Sequence, residues 1–388
     1  MEMTLRFLSS IVGLAVSISF ISCSTSKEYS SNEYKLQLVD SIVVPVVGNI
    51  TISDYCRERN VFLIINQKDQ SIIETDNKGK IINRLQLNGG EEKQYGQSVT
   101  NLSYYSDSSI IISSSRGYFI YDLSGKLLKM FADKCPLVGG EASKLSIISK
   151  EGTNYFMSFR KPAIPENLEF GFRNSTEFYN SYKPITLYNS SNNTSSQEFG
   201  FDPDGAHRKF DYYYGNTRTF FDVDSIRKNV YVLHNPDLTL YKYSIAKGFP
   251  LLKKIPLIPN FYKTEEKGEF HSSKPINMDR MLAVNSNYQS LNIMGDYIVA
   301  SYNTGIPDTE FKEMISSAQW SEYFGRFDKR YLQVFYKDNK MCNDIEIPKE
   351  SYTVAFLKSV EEIVTIPNAM LVERLDYSVF FVYKLEKI

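Results

Sequence analysis

Residues 75–82 read Thr75-Asp76-Asn77-Lys78-Gly79-Lys80-Ile81-Ile82, and residues 121–128 read Tyr121-Asp122-Leu123-Ser124-Gly125-Lys126-Leu127-Leu128. Each is the end of an apolar strand, a D-x-x-G-K turn and the start of another strand. Asp and Gly suit a tight hairpin, because Gly accepts positive φ and Asp hydrogen-bonds its own turn. Weaker copies of the strand before the turn end near Tyr188, Tyr243, Tyr336 and Tyr383, making six. Ahead of each copy lies a short run that is apolar on both faces: Val61–Ile65, Ile110–Ile112, Tyr155–Phe159, Val230–Leu233, Tyr297–Ala300 and Ile363–Ile366. Runs of that length, rich in β-branched and aromatic residues, read as strands buried on both sides. An antiparallel sheet usually shows one face to water. A sheet buried on both faces must be sandwiched between others, as a propeller blade is.

The strand order divides the chain into blades at about 49–87, 98–132, 143–200, 217–256 and 286–347, with a sixth starting near 352. The sixth ends with its third strand, Tyr377–Leu385, so it lacks a fourth. An unassigned strand, Tyr34–Val44, lies at the other end of the chain. The expectation is an all-β, six-bladed propeller of four-stranded antiparallel blades. The N-terminal strand closes the ring and removes a sheet edge. The competing placements are another blade or a free tether. Six blades share more residues than the ~40–50 per repeat of compact propellers, so the surplus is expected in loops.

The 388 residues carry 44 Lys+Arg against 45 Asp+Glu, and 42% are hydrophobic. That is a folded composition rather than a disordered one. Near-zero net charge argues against capture of nucleic acid, which needs a basic surface. Phe7–Ile21 is an apolar run too short for a confident bilayer span, and it follows Arg6 as in a secretory signal peptide. It stops at Ser22-Cys23 and turns abruptly polar. A small residue before Cys23 resembles a bacterial lipobox, with Phe20 in place of the usual Leu. The alternative is an ordinary signal peptide with an incidental cysteine. The domain expectation is a signal peptide over 1–22, a polar tether over 23–33 and one propeller over 34–388. Cys56, Cys135 and Cys342 are then left over, an odd number at wide spacing and no disulfide framework.

The lipobox-like start, the hairpins Asp76–Lys80 and Asp122–Lys126 and the six-fold strand pattern resemble the six-bladed β-propeller lipoproteins of Bacteroidetes-type bacteria. These are similar to NHL- and TolB-like propellers. The resemblance implies a protein of the cell envelope, held at the outer membrane by a lipid on Cys23, and brings no catalytic residues with it. In that bacterial group Asp40-Ser41-Ile42 and Asp224-Ser225-Ile226 resemble O-glycosylation sequences, which would modify Ser41 or Ser225.

Strands of a blade alternate in direction. With strands a to d counted from the axis outward, the b–c and d–a connections share one face and the a–b and c–d hairpins the other. The long segments 160–182, 201–216, 257–285 and 303–329 all fall on the first face. Long loops on a rigid scaffold are where binding concentrates. They carry Arg160 and Arg173, then His207, Arg208, Tyr212, Tyr213, Tyr214 and Arg218, then Trp320, Tyr323 and Arg326 around one short helix, Asp308–Phe324. Tyr, Trp and Arg combine contact area with a polar handle. The competing reading is that these side chains pack loop on loop.

Catalytic and metal motifs are absent from the sequence. His207, His234 and His271 lie far apart, and His234 ends an apolar strand as a core histidine does. Asp202-Pro203-Asp204-Gly205 is too short for a calcium loop and reads as a turn. No cofactor or metal is expected. The functional expectation is a binding module for an envelope protein, peptide or glycan. The alternative is a hydrolase or lyase using carboxylates at the mouth of the central tunnel.

Overall fold

The computed structural model describes residues 33–131, 144–150, 152–159, 176–206, 212–213, 218–264, 268–269, 280, 283–317, 320–368 and 376–388. Six antiparallel sheets surround one axis. Blade one is β2–β5 (Ile50–Cys56, Val61–Asn66, Ile72–Asp76, Ile81–Leu85) and blade two is β6–β9 (Val99–Ser106, Ser109–Ser114, Gly117–Asp122, Leu127–Phe131). Blade three is β10–β13 (Ser146–Lys150, Thr153–Phe159, Ile185–Asn189, Thr194–Glu198). Beyond a two-residue β14 (Tyr212–Tyr213), blade four is β15–β18 (Thr219–Asp224, Asn229–His234, Thr239–Ser244, Leu251–Pro256). After β19 (Gly268–Glu269), blade five is β20–β24 (Asn287–Met294, Tyr297–Asn303, Arg330–Tyr336, Asn339–Lys340, Ile345–Glu346), with the last two both pairing β22. Blade six takes β25–β27 (Ser351–Ser359, Glu362–Pro367, Ser378–Lys387) from the C-terminus and β1 (Tyr34–Val44) from the N-terminus. The six-bladed architecture and the ring closure are therefore as the strand pattern predicts.

The second strand of each blade explains why the sequence reads as it does. Every residue of β3, β7 and β16 is buried. Their side chains fill clusters shared between neighbouring blades. Leu63 and Ile65 of blade one pack with Leu102, Ile110 and Phe119 of blade two, while Val230 and Val232 pack with Met157 and Leu187 of blade three. Water touches mainly the outer strands, whose exposed Ile82, Leu128 and Leu252 sit beside charged neighbours.

The two D-x-x-G-K turns are built alike. Asp76 Oδ1 accepts the N–H groups of Lys78 and Lys80, each at 2.9 Å, and Gly79 takes φ +86°. Asp122 Oδ1 accepts the N–H groups of Ser124 and Lys126, each at 2.9 Å, and Gly125 takes φ +88°. The carboxylate replaces two backbone acceptors that the reversal leaves missing.

β1 pairs antiparallel with β27 from Tyr34↔Lys387 to Val44↔Ser378. Ile42, Val44 and Val46 then enter the cluster of Ile50, Ile52 and Phe62 in blade one. Tyr34 and Leu36 lean on Cys342 and Ile345 of blade five. At the end of the pair, the Ile388 N–H donates to the Glu33 carbonyl at 2.8 Å, so Glu33 and Ile388 both sit on the hairpin face.

One expected helix is two: Asp308–Ser317 and Trp320–Phe327 are separate segments. A further short helix, Thr176–Ser181, stands in the b–c connection of blade three. Among the described residues no helix is long and apolar enough to cross a membrane. Cys56 and Cys342 are buried free thiols. Cys23, Cys135, the segment 1–22 and nearly all of the tether lie outside the described residues.

Candidate functional site

Strand alternation puts the b–c and d–a connections together at one end of the axis, as expected. Arg160, Arg173, His207, Arg208 and Tyr214 lie outside the described residues, and for Tyr212, Tyr213 and Trp320 only the backbone is described. β14 pairs β19, Tyr212 opposite Glu269 and Tyr213 opposite Gly268. The connections after blades three and four are thus stitched into one ribbon, which nothing in their separate sequences announces. Arg218 precedes β15, its guanidinium 5.0 Å from the Phe220 ring.

Tyr323 and Arg326 serve the helical cover. The Tyr323 hydroxyl donates to Glu313 at 3.3 Å on the partner helix, and Arg326 sits 4.9 Å over the Phe327 ring. The helices pack Phe311 and Met314 onto Val284 and Ile306, with Tyr323 and Phe324 at the margin. The loop-on-loop reading fits these two residues.

The same face holds an arrangement that sequence reading did not single out. Asp328 accepts from Asn303 Nδ2 at 2.7 Å and from Arg330 at 3.1 Å. Burial pushes the Asp328 carboxyl up, against the pull of Arg330 and Asn303. The Arg330 guanidinium lies 4.3 Å over the Tyr352 ring, which is 40% exposed. The Arg330 cation is itself buried and paired with Asp328, so it backs the ring and leaves Tyr352 as the surface a ligand would meet.

Asp202-Pro203-Asp204-Gly205 is a turn, as read from sequence. Asp202 Oδ1 accepts the Asp204 N–H at 3.0 Å, and the Gly205 N–H donates to the Asp202 carbonyl at 3.0 Å. Lys254 holds Asp202 at 2.5 Å. Burial pushes the Asp202 carboxyl up, but Lys254 and the turn outweigh it and leave it low. Against this turn packs buried Asp237, whose Oδ2 accepts from the Tyr241 hydroxyl at 2.5 Å. A Cβ on Gly205 would stand 2.6 Å from that oxygen, so only glycine permits the approach.

Burial, with the Asp202 charge adding to it and the Tyr241 bond opposing it, raises Asp237 to about 6. The folded state therefore binds the proton more tightly than the unfolded one. This group costs nothing below pH 4, and its cost grows as pH rises towards 6. The shift amounts to about 3 kcal/mol above pH 6. Asp237→Asn is expected to stabilise the protein at pH 7–8 and to flatten its stability between pH 4 and 6. Urea midpoints of parent and variant that run parallel across pH 4–8 would overturn this assignment.

A second polar centre lies on the axis. Six inner-strand residues form one layer, each opposite the third residue of its second strand: Asp54, Ser103, Ile148, Asp222, Asn292 and Phe356. Blades one and four stand opposite in a ring of six, so Asp54 and Asp222 come from opposite sides. The inner edge of a blade has no strand to pair with. Asp54 accepts the N–H groups of Tyr55 at 2.8 Å and of Tyr104 in the next blade at 2.9 Å, with the Ser103 hydroxyl also donating. Asp222 accepts those of Val223 and of Ile293 in the next blade, both at 2.8 Å. Lys144 of blade three reaches Asp222 at 2.6 Å. Withdrawal from bulk water pushes the Asp54 carboxyl up, against the Lys144 charge and its three donors. The sequence signal was available in hindsight: ITISDYC and TFFDVD each place a carboxylate inside an apolar inner strand.

His234 is buried, its Nδ1 2.8 Å from Thr219 Oγ1, as a core histidine. Cys56, Glu58 and Asp107 bring possible ligand atoms within 4.8 Å of one another, with both acids exposed. The thiol already donates to Glu58 at 3.7 Å.

These features define a six-bladed β-propeller with a loop-rich face and a polar layer on its axis. It is similar to a member of the DUF4221 family from Bacteroides vulgatus, with a TM-score of 0.67 at 12% identity over 92% of this chain and 100% of that one. A protein from Bacteroides fragilis named "Putative exported protein" follows at TM-score 0.49 and 11% identity, over 93% and 97% of the two chains. No family model matches the sequence, and no curated protein matches it. At such identity the likeness speaks for the fold alone.

Proposed function

We propose that this chain is a binding propeller of the bacterial cell envelope, tethered by a lipid on Cys23 at the outer membrane, which takes a protein, peptide or glycan on its loop-rich face. The observation that carries the reading is polarity along the axis. The long connections gather at one end, while Glu33 and Ile388 meet at the other. A short tether reaching Glu33 would hold the hairpin face near the bilayer and turn the loops outward. Two lipid chains suffice for stable anchoring without a spanning helix.

The combined change Tyr213→Ala, Arg218→Ala and Trp320→Ala is expected to abolish capture in a glycan and peptide array while leaving thermal unfolding nearly unchanged. Cys23→Ala is expected to move the protein from membrane to soluble fractions. Retained capture by the triple variant would sink the choice of face, and retained membrane association would sink the anchor. The hydrolase or lyase reading draws on Asp54, Asp222 and Lys144 converging on the axis. Each carboxylate there is already occupied by backbone N–H groups, which favours a holding role.

A further inference from the structure

The axial layer borders a cavity of about 250 Å³ that reaches the hairpin face between Arg57 and Ser225. That is about eight water volumes, below the range of most drug-sized sites. Its hydrogen-bonding inventory is lopsided. Asp54 and Asp222 each accept three bonds, from backbone N–H groups, the Ser103 hydroxyl and Lys144. The donors are not used up. Lys144 spends one of its three protons on Asp222. Arg57 makes no ion pair with a carboxylate among the described residues and is exposed at the rim. The amide nitrogen of Asn292, itself 6% exposed and part of the cavity wall, has no acceptor among them.

The spare Lys144 protons, the Asn292 amide and the unpartnered Ser146 hydroxyl can all donate into this space, so the wall favours an acceptor-rich guest. Lys144 and Arg57 offset the two wall carboxylates, so a guest with one negative charge meets no net repulsion, while each further charge on the guest adds self-repulsion. The planar fork of Arg57 suits a carboxylate. We propose that this axial cavity is a site for a small organic monocarboxylate, bound between Arg57 at the rim and Lys144 within. The site lies at the opposite end from the loop-rich face and stands or falls independently of it. Asp54, whose carboxyl is held above its ordinary range, couples the site to pH. The groups facing it are Lys144, Ser103 and the Tyr55 and Tyr104 N–H groups, with Asp222 across the axis and Arg57 at the rim. When Asp54 takes a proton the wall becomes net cationic, so binding tightens as pH falls.

The test is calorimetric titration of the intact protein with three probes of one size: 6-hydroxyhexanoate, 1,6-hexanediol and 6-amino-1-hexanol. The carboxylate is expected to bind, and the neutral and cationic probes are not. Arg57→Ala, at an exposed position, is expected to weaken binding tenfold or more without moving the melting temperature. Lys144→Met is expected to abolish it. Preference for the diol or the amine, absence of heat from the carboxylate up to millimolar concentration, or full affinity in Arg57→Ala would each overturn the proposal.

Discussion

A chain lacking Tyr34–Val44 is expected not to reach a cooperatively folded state. The strand fills the outer position of blade six along the length of β27. It also delivers Ile42 and Val44 to a cluster that continues into blade one. Burying such side chains stabilises by roughly 1.5–3 kcal/mol each. Their loss, with that of Tyr34 and Leu36 against blade five, takes up much of the ~5–15 kcal/mol that holds a typical domain. It also bares the edge of β27 to other chains. Single changes grade the same claim. Val44→Ala, at a fully buried position, is expected to cost about 2 kcal/mol, and Val43→Ala, 41% exposed, well under 1 kcal/mol. Urea unfolding measures all three, and an unchanged midpoint in the truncated chain would remove β1 from the ring.

The second large effect separates two glycines that the sequence presents as equivalents. Gly125→Ala must hold an L-residue at φ +88°, worth about 1–2 kcal/mol. Its new methyl would meet the Leu87 side chain at 3.3 Å, which can give way. Gly79→Ala carries the same backbone penalty, but its methyl would stand 2.1 Å from the Val43 carbonyl oxygen. That carbonyl cannot retreat easily, because Val43 is registered opposite Val379 in the closing strand pair. Gly79→Ala is therefore expected to cost at least ~3 kcal/mol in all, partly by prising β1 from the ring. Equal losses in the two variants would show that the turn of blade one does not bear on the closing strand.

Much of the fold was legible because it is written in local signals. Buried second strands such as VFLII need both faces covered, so each marks a blade without reference to any other. The turns Asp76–Lys80 and Asp122–Lys126 need one carboxylate and one glycine at fixed spacing, and both turns formed as read. Closure followed from parity: blade six was one strand short and Tyr34–Val44 one strand over. Strand direction likewise settled which connections share a face. The candidate residues fared less evenly. Tyr323 and Arg326 belong to the helical cover. Arg330 and Tyr352, which do stack on that face, went unread because a strand-end arginine and a strand tyrosine look ordinary until the two are set 4.3 Å apart.

By itself the chain's order of residues determined the number of blades, the chemistry of two hairpins, the strand that shuts the ring and the end at which the long connections emerge. All of these depend on neighbours within a few positions or on counting. Only the tertiary structure decided that Gly79 lies under Val43 and that Asp237 faces the Asp202 turn. It alone set Asp54 and Asp222 on opposite sides of an axis with Lys144 between them. The physical reason is that a ring brings together residues far apart in the chain. An aspartate in an inner strand looks like a flaw in an apolar pattern until the next blade supplies the N–H groups it accepts.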